Sequence, residues 1–220
     1  MNKKLLGLFL CLALVMTFTT FGLAQQARPS YAATAAAHEA TPYVDADAAL
    51  KKLYSNLGPD PADLYYATNG YFVSGPQNLL NDQKQDVAMP FKVHSNTSIV
   101  RVKAALKYYG YGANAAQLAI YSDASGLPGT KIRNKNLTNL DDFGGCCKLA
   151  VWNLTTPLPV TKGTTYWIVG TTATPSMDSV SVWDWVYNGF SGTIAFQLDD
   201  TGWFLFNSGY PLSAFAVFGQ

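Results

Sequence analysis

The residues of this chain that could do chemistry are few, and their spacing limits what they could do. Glu39 is the one glutamate, and the histidines are His38 and His94. A Ser-His-Asp hydrolase would have to use His94, and the sequence lacks the G-x-S-x-G turn that exposes a nucleophilic serine. A glycosidase pair would have to come from aspartates alone. Asp141-Asp142 and Asp199-Asp200 are the doublets. Adjacent residues on a strand point to opposite faces, so neither doublet makes a dyad by itself. Both sit among turn residues, where aspartate caps loops. No catalytic residue is assigned on this pattern.

Three other groups remain. Cys146 and Cys147 are adjacent, and in an oxidising compartment they can pair with each other, pair with another chain, or stay reduced. A bridge between them is the favoured outcome, and a bridged pair offers no thiolate nucleophile. Zinc is not expected, because C-x-x-C spacing and partner histidines are both missing. Asp123, Asp199 and Asp200 are weak candidates for a structural calcium ion, which takes carboxylates and carbonyls from loops; EF-hand spacing is absent. The third group is aromatic. On a strand, Trp183, Trp185 and Tyr187 share one face, with Asn188 next in the chain and Trp203 after a Gly turn. Exposed, these rings could stack on sugar faces while Asn188 bonds hydroxyls. Buried, the same face is core against a second sheet, and Asp184 between two valines on the opposite face favours that arrangement.

The elements that must position these residues begin with a secretion signal. Lys3 and Lys4 precede an apolar run over 5–21, and Gly22-Leu23-Ala24 supplies the small residues a signal peptidase reads. Cleavage is expected after Ala24, with a later cut after Ala32 as the rival. Without residues 1–24 the charge is 13 basic against 14 acidic residues. That leaves no electrostatic footprint for nucleic acid, and no membrane association is expected after signal removal. About 195 residues suit one domain. A 49% hydrophobic content is enough for a packed core, and a 13% charged content leans towards an extracellular β-protein.

Residues 25–52 form a leader, and the Ala and Leu spacing over 45–53 fits a short helix. From about Leu64 short apolar runs alternate with Gly, Pro, Asn and Asp. Pro90 marks its run as an edge or bulge. Over 98–109, Val100, Val102, Ala104, Leu106 and Tyr108 are expected on one face, with Arg101, Lys103 and Lys107 on the other. The segment 130–140 is polar and peripheral. Turn signals at this spacing predict an all-β fold, an antiparallel sandwich or barrel over 53–220.

Several motifs in order carry a resemblance. They are Tyr54-Ser55-Asn56-Leu57-Gly58-Pro59, Ala88-Met89-Pro90-Phe91, Asp123-Ala124-Ser125-Gly126-Leu127-Pro128-Gly129-Thr130, Phe143-Gly144-Gly145-Cys146-Cys147, residues 163–169 and 183–192, and Ala214-Phe215-Ala216-Val217-Phe218-Gly219. In this order they resemble the choice-of-anchor R domains of exported bacterial proteins, also seen with PEP-CTERM sorting tails. The resemblance implies a jelly-roll sandwich and no established activity. The chain stops at Gln220 straight after its last strand-like run, which favours release or periplasmic residence over anchoring. The function expected is a secreted, non-catalytic module binding extracellular glycan or matrix. The alternatives are an extracellular polysaccharide hydrolase using aspartates and a purely structural envelope or biofilm protein.

Overall fold

The computed structural model describes residues 49–173, 176–187, 189–206 and 209–220. Thirteen strands account for their regular structure: β1 (Lys51–Ser55), β2 (Tyr66–Ser74), β3 (Gln85–Lys92), β4 (Thr97–Ala104), β5 (Leu106–Tyr108), β6 (Ala115–Ala124), β7 (Leu127–Thr138), β8 (Ala150–Val160), β9 (Thr165–Thr171), β10 (Val180–Trp185), β11 (Ile194–Leu198), β12 (Trp203–Phe206) and β13 (Phe215–Gly219). A smaller sheet runs β1-β13-β4-β8. A larger one runs β5-β10-β2-β3-β9-β6-β7, and β11 joins it on β3 and carries β12. The small sheet and the β3-β9-β6-β7 half of the large one alternate along the chain as the eight strands of a jelly roll do. The all-β antiparallel sandwich expected from the sequence is the observed fold.

The period-2 alternation of the strands decides which side chains meet between the sheets. Ile99, Val102, Phe215 and Val217 from the small sheet pack on Met89, Phe91, Leu118, Ile120 and Ile168 from the large one. Trp183 joins this core with no exposed surface. Its ring lies over Gly170, where a Cβ would come within 3.1 Å of the indole. Gly170 therefore leaves the space that the largest side chain of the core fills.

Four sequence expectations need correction. The helix expected over 45–53 is replaced, from Lys51 onward, by β1, whose backbone pairs with β13 (Lys51 opposite Gly219); residues 45–48 lie outside the described residues. Pairing to an existing strand outweighs a weak local helix preference. The alternation across 98–109 is broken at a bulge, since the β4–β8 register shifts between Ile99 and Arg101. Ile99 is therefore fully buried while Val100 turns outward, only partly covered. The chain then crosses at Ala105 to the other sheet as β5. Lys103 and Lys107, expected on the outer face, are both buried. Pro90 sits in a strand that is internal to the sheet, paired to Trp167 of β9. On the other side β11 pairs only with Gln85 to Ala88. Pro90 lies beyond that ladder, so its missing N–H costs no partner.

Candidate functional site: a trough on the outer face of the larger sheet

The large sheet curls away from the sandwich core until β12 comes into contact with β7 across its outer face. This makes the outer face concave. Residues directly opposite on neighbouring strands share a face, so the registers give the lining of the trough row by row. One row is Leu205, Ala195, Ala88, Val169 and Ala119. Its alanines suit a floor too tightly curved for larger side chains. On one side of this row stand Trp167 and Tyr121, paired across β9 and β6. On the other side runs a polar row: Gln197 opposite Asp86, and Thr171 opposite Gln117. The apolar end is filled. Ala88, Ala119, Trp167, Val169 and Ala195 form a small second core, covered by Tyr121, Trp203 and Leu205. The polar end is open and holds a cavity of about 390 Å³, lined by Lys84, Asp86, Gln117, Tyr121, Lys131, Thr171, Gln197 and Asp200 among others. That size lies within the ~300–1,000 Å³ typical of small-molecule sites.

Asp86 is the unusual group in this cavity. It is 4% exposed. Its Oδ2 faces the Lys84 ammonium at 3.3 Å, while its Oδ1 is buried with no hydrogen-bond partner among the described residues. Burial pushes the Asp86 carboxyl above its ordinary range, with Thr171 and Lys84 pulling in the opposite direction. Lys84 also binds Asp200. Burial lowers the Lys84 ammonium, but its bond to Asp200 and the charge of Asp86 outweigh this, so its pKa is raised and it stays protonated. The Tyr121 phenol is raised by burial and then by the Asp86 charge. Gln117 donates its amide N–H to Asn136 Oδ1 at 2.7 Å, which fixes the amide plane at the cavity wall. The result is a concave site with a buried carboxylate held by Lys84 and Thr171, amides beside it and rings at one end. Such a set can bind a polyhydroxylated ligand through hydroxyl donors and ring stacking.

The structure distributes the sequence-predicted residues differently. Trp183 is core, and its Nε1–H donates to Ala214 O at 2.9 Å, so it has no free face. Trp185 is half-buried against Tyr71, with ring centroids 5.4 Å apart. Tyr187 is exposed, and Asn188 lies outside the described residues. Of the four described residues in that group only Trp203 reaches the trough, edge-on to Tyr121 with ring centroids 6.3 Å apart. Asp86, Gln117, Thr171 and Gln197 were not singled out from the sequence. The available signal was small and polar residues alternating with apolar ones, as in Asp86-x-Ala88, Gln117-x-Ala119-x-Tyr121 and Ala195-x-Gln197.

The three calcium candidates do not converge, and each carboxylate already has protein donors. Asp123 accepts Trp167 Nε1–H at 2.8 Å and Gly126 N–H at 3.0 Å. Asp199 accepts Lys84 N–H at 2.8 Å and also the Gln83 side-chain amide. Asp200 pairs with Lys84. Among the described residues no group of three or more His, Cys, Asp or Glu could hold a metal ion. Cys146 and Cys147 are joined in a vicinal disulfide. It sits under Ala62, Tyr65 and Leu149 at another part of the molecule from the trough.

No protein-family model matches the chain, and no curated protein matches it.

Proposed function

We propose that this chain is an exported, non-catalytic module of the choice-of-anchor R kind, and that it binds extracellular glycan in the trough of its larger sheet. The observation that carries this reading is Asp86 Oδ1, a buried acceptor with no hydrogen-bond partner among the described residues, in a cavity whose polar walls are Gln117, Gln197, Thr171, Thr172 and Tyr121 together with Lys84, Lys131 and Asp200. A buried unpaired acceptor costs about 1–3 kcal/mol, and a ligand hydroxyl that reaches Oδ1 would remove that cost. The near-balanced charge supports a neutral ligand over a polyanion. Binding is favoured over hydrolysis because Asp86 and Asp200 are both held by Lys84. A glycosidase needs two carboxyl groups free to face the scissile bond from opposite sides.

The test is a pull-down of the purified mature chain on insoluble polysaccharides, followed by titration with the soluble oligosaccharide of the best binder. Saturable binding that is competed by free sugar and lost in Asp86→Ala, with the fold intact, supports the reading. Binding that Asp86→Ala leaves unchanged moves the site elsewhere, and release of reducing ends from the polymer would make the chain a hydrolase.

A further inference from the structure

A second buried polar cluster lies far from the trough, under the vicinal disulfide. Lys107 on β5 is 1% exposed and Asp184 on β10 has no exposed surface. The β5–β10 register sets Lys107 opposite Val182, so Asp184 is its diagonal neighbour on the same face. Both oxygens of Asp184 are buried without a hydrogen-bond partner among the described residues. Among the described residues the Lys107 ammonium has Asp141 Oδ2 at 3.8 Å and the face of Tyr65 at 5.4 Å from the ring centroid, and makes no ion pair with Asp184. Leu64, Tyr65, Cys147, Leu149, Val186 and Ala214 enclose the region. The Tyr65 hydroxyl, bonded to Gly145 O or Lys148 O at 3.1 Å, ties the covering loop down.

Two oppositely charged groups left so poorly bonded in a dry site cost several kcal/mol each. Burial disfavours the charge on each, and the opposite charge of the other group works against this. Burial lowers Lys107 and raises Asp184. In their uncharged forms an amine is a nucleophile and a carboxylic acid an electrophile, and the two strands hold Lys107 and Asp184 as diagonal neighbours on one buried face.

We propose that Lys107 and Asp184 condense to an intramolecular isopeptide bond, with Asp141 relaying the proton. The Nζ lone pair forms a bond to Asp184 Cγ. The proton displaced from Nζ passes through the Asp141 carboxylate to the hydroxyl of the tetrahedral intermediate. The C–O bond then breaks, and one water leaves. The product is an amide, with no change of oxidation state and no co-reactant. The bond is made once per molecule and staples β5 to β10 at the end of the large sheet. In an exported module it resists unfolding by force and by proteases. This inference stands whether or not the trough binds glycan.

The experiment is the intact mass of the mature chain after reduction of its disulfide, with the N-terminus read from the same sample. The expected mass is one water below the sequence value, and a peptide map should yield one branched peptide joining the segments of Lys107 and Asp184. Lys107→Arg and Asp184→Ala should each restore the full mass. Asp184→Asn should lose ammonia in place of water if the same bond forms. A full-mass wild-type chain overturns the proposal, and so does a water lost at any other pair of residues. A folded Asp141→Ala chain that cross-links at the wild-type rate removes Asp141 from the relay.

Discussion

Asp86 governs how the trough answers to pH. Its carboxyl is raised above the ordinary 3.8 by burial. Only the ionised form leaves both oxygens as acceptors, so protonation removes an acceptor that the ligand needs. Affinity should therefore fall as pH falls through the raised value, starting above the range where an ordinary aspartate titrates. In Asp86→Asn binding should be weaker at neutral pH and flat across the same window. Titrations at stepped pH check both, and a wild-type profile that stays flat down to the ordinary aspartate range would count against Asp86 as the acceptor. Two of the three tryptophans named from the sequence should separate cleanly. Trp203→Ala uncovers the rim of the trough and should lower sugar affinity about tenfold, ~1.4 kcal/mol, with a small change in stability. Trp183→Ala empties the sandwich core and should cost about 3–5 kcal/mol of stability. Denaturant unfolding beside sugar titration distinguishes the two effects.

At the scale of elements, the packing of β9 against β10 depends on a missing side chain. A methyl at Gly170 would press on Trp183 at 3.1 Å. Gly170→Ala should destabilise the domain by about 1–3 kcal/mol, seen as a lower midpoint in urea with an unchanged slope. Most strands were legible because their apolar residues repeat every second position and Gly, Pro and Asn mark their ends. The helix expected near Lys51 failed because β13, more than 160 residues on in the chain, offers a backbone edge that local spacing cannot reveal. The inward set of β4 was wrong by one residue before the bulge, because a bulge reverses the alternation without changing composition. The trough was not legible at all. It depends on sheet curvature that brings β12 to β7, and on registers that align Gln197, Asp86, Thr171 and Gln117 across β11, β3, β9 and β6. Each of these residues alone reads as an ordinary polar position on a half-buried strand. Trp203 was visible as an exposed-ring candidate, but its neighbour Tyr121 lies 82 positions earlier in the sequence.

Across the whole molecule, two sheets with one shared core leave different tasks to their outer surfaces. The large sheet carries the trough on one part of its outer face and the Lys107–Asp184 cluster on another, with the disulfide loop over the second. The disulfide joins adjacent residues and so closes almost no chain loop. Its entropic contribution to global stability should accordingly be small. Cys146→Ser with Cys147→Ser is expected to shift the thermal midpoint little and to leave sugar binding unchanged, and calorimetry with the same sugar titration checks this. The measurement that bears most directly on the account is a titration of the mature chain with the oligosaccharide selected by polysaccharide pull-down, run for wild type, Asp86→Ala and Tyr121→Ala, with circular dichroism to confirm that each is folded. The account predicts saturable binding by the wild type and loss of at least tenfold in affinity for both folded variants. Absence of binding across the polysaccharide panel, or equal affinity in all three proteins, would contradict it.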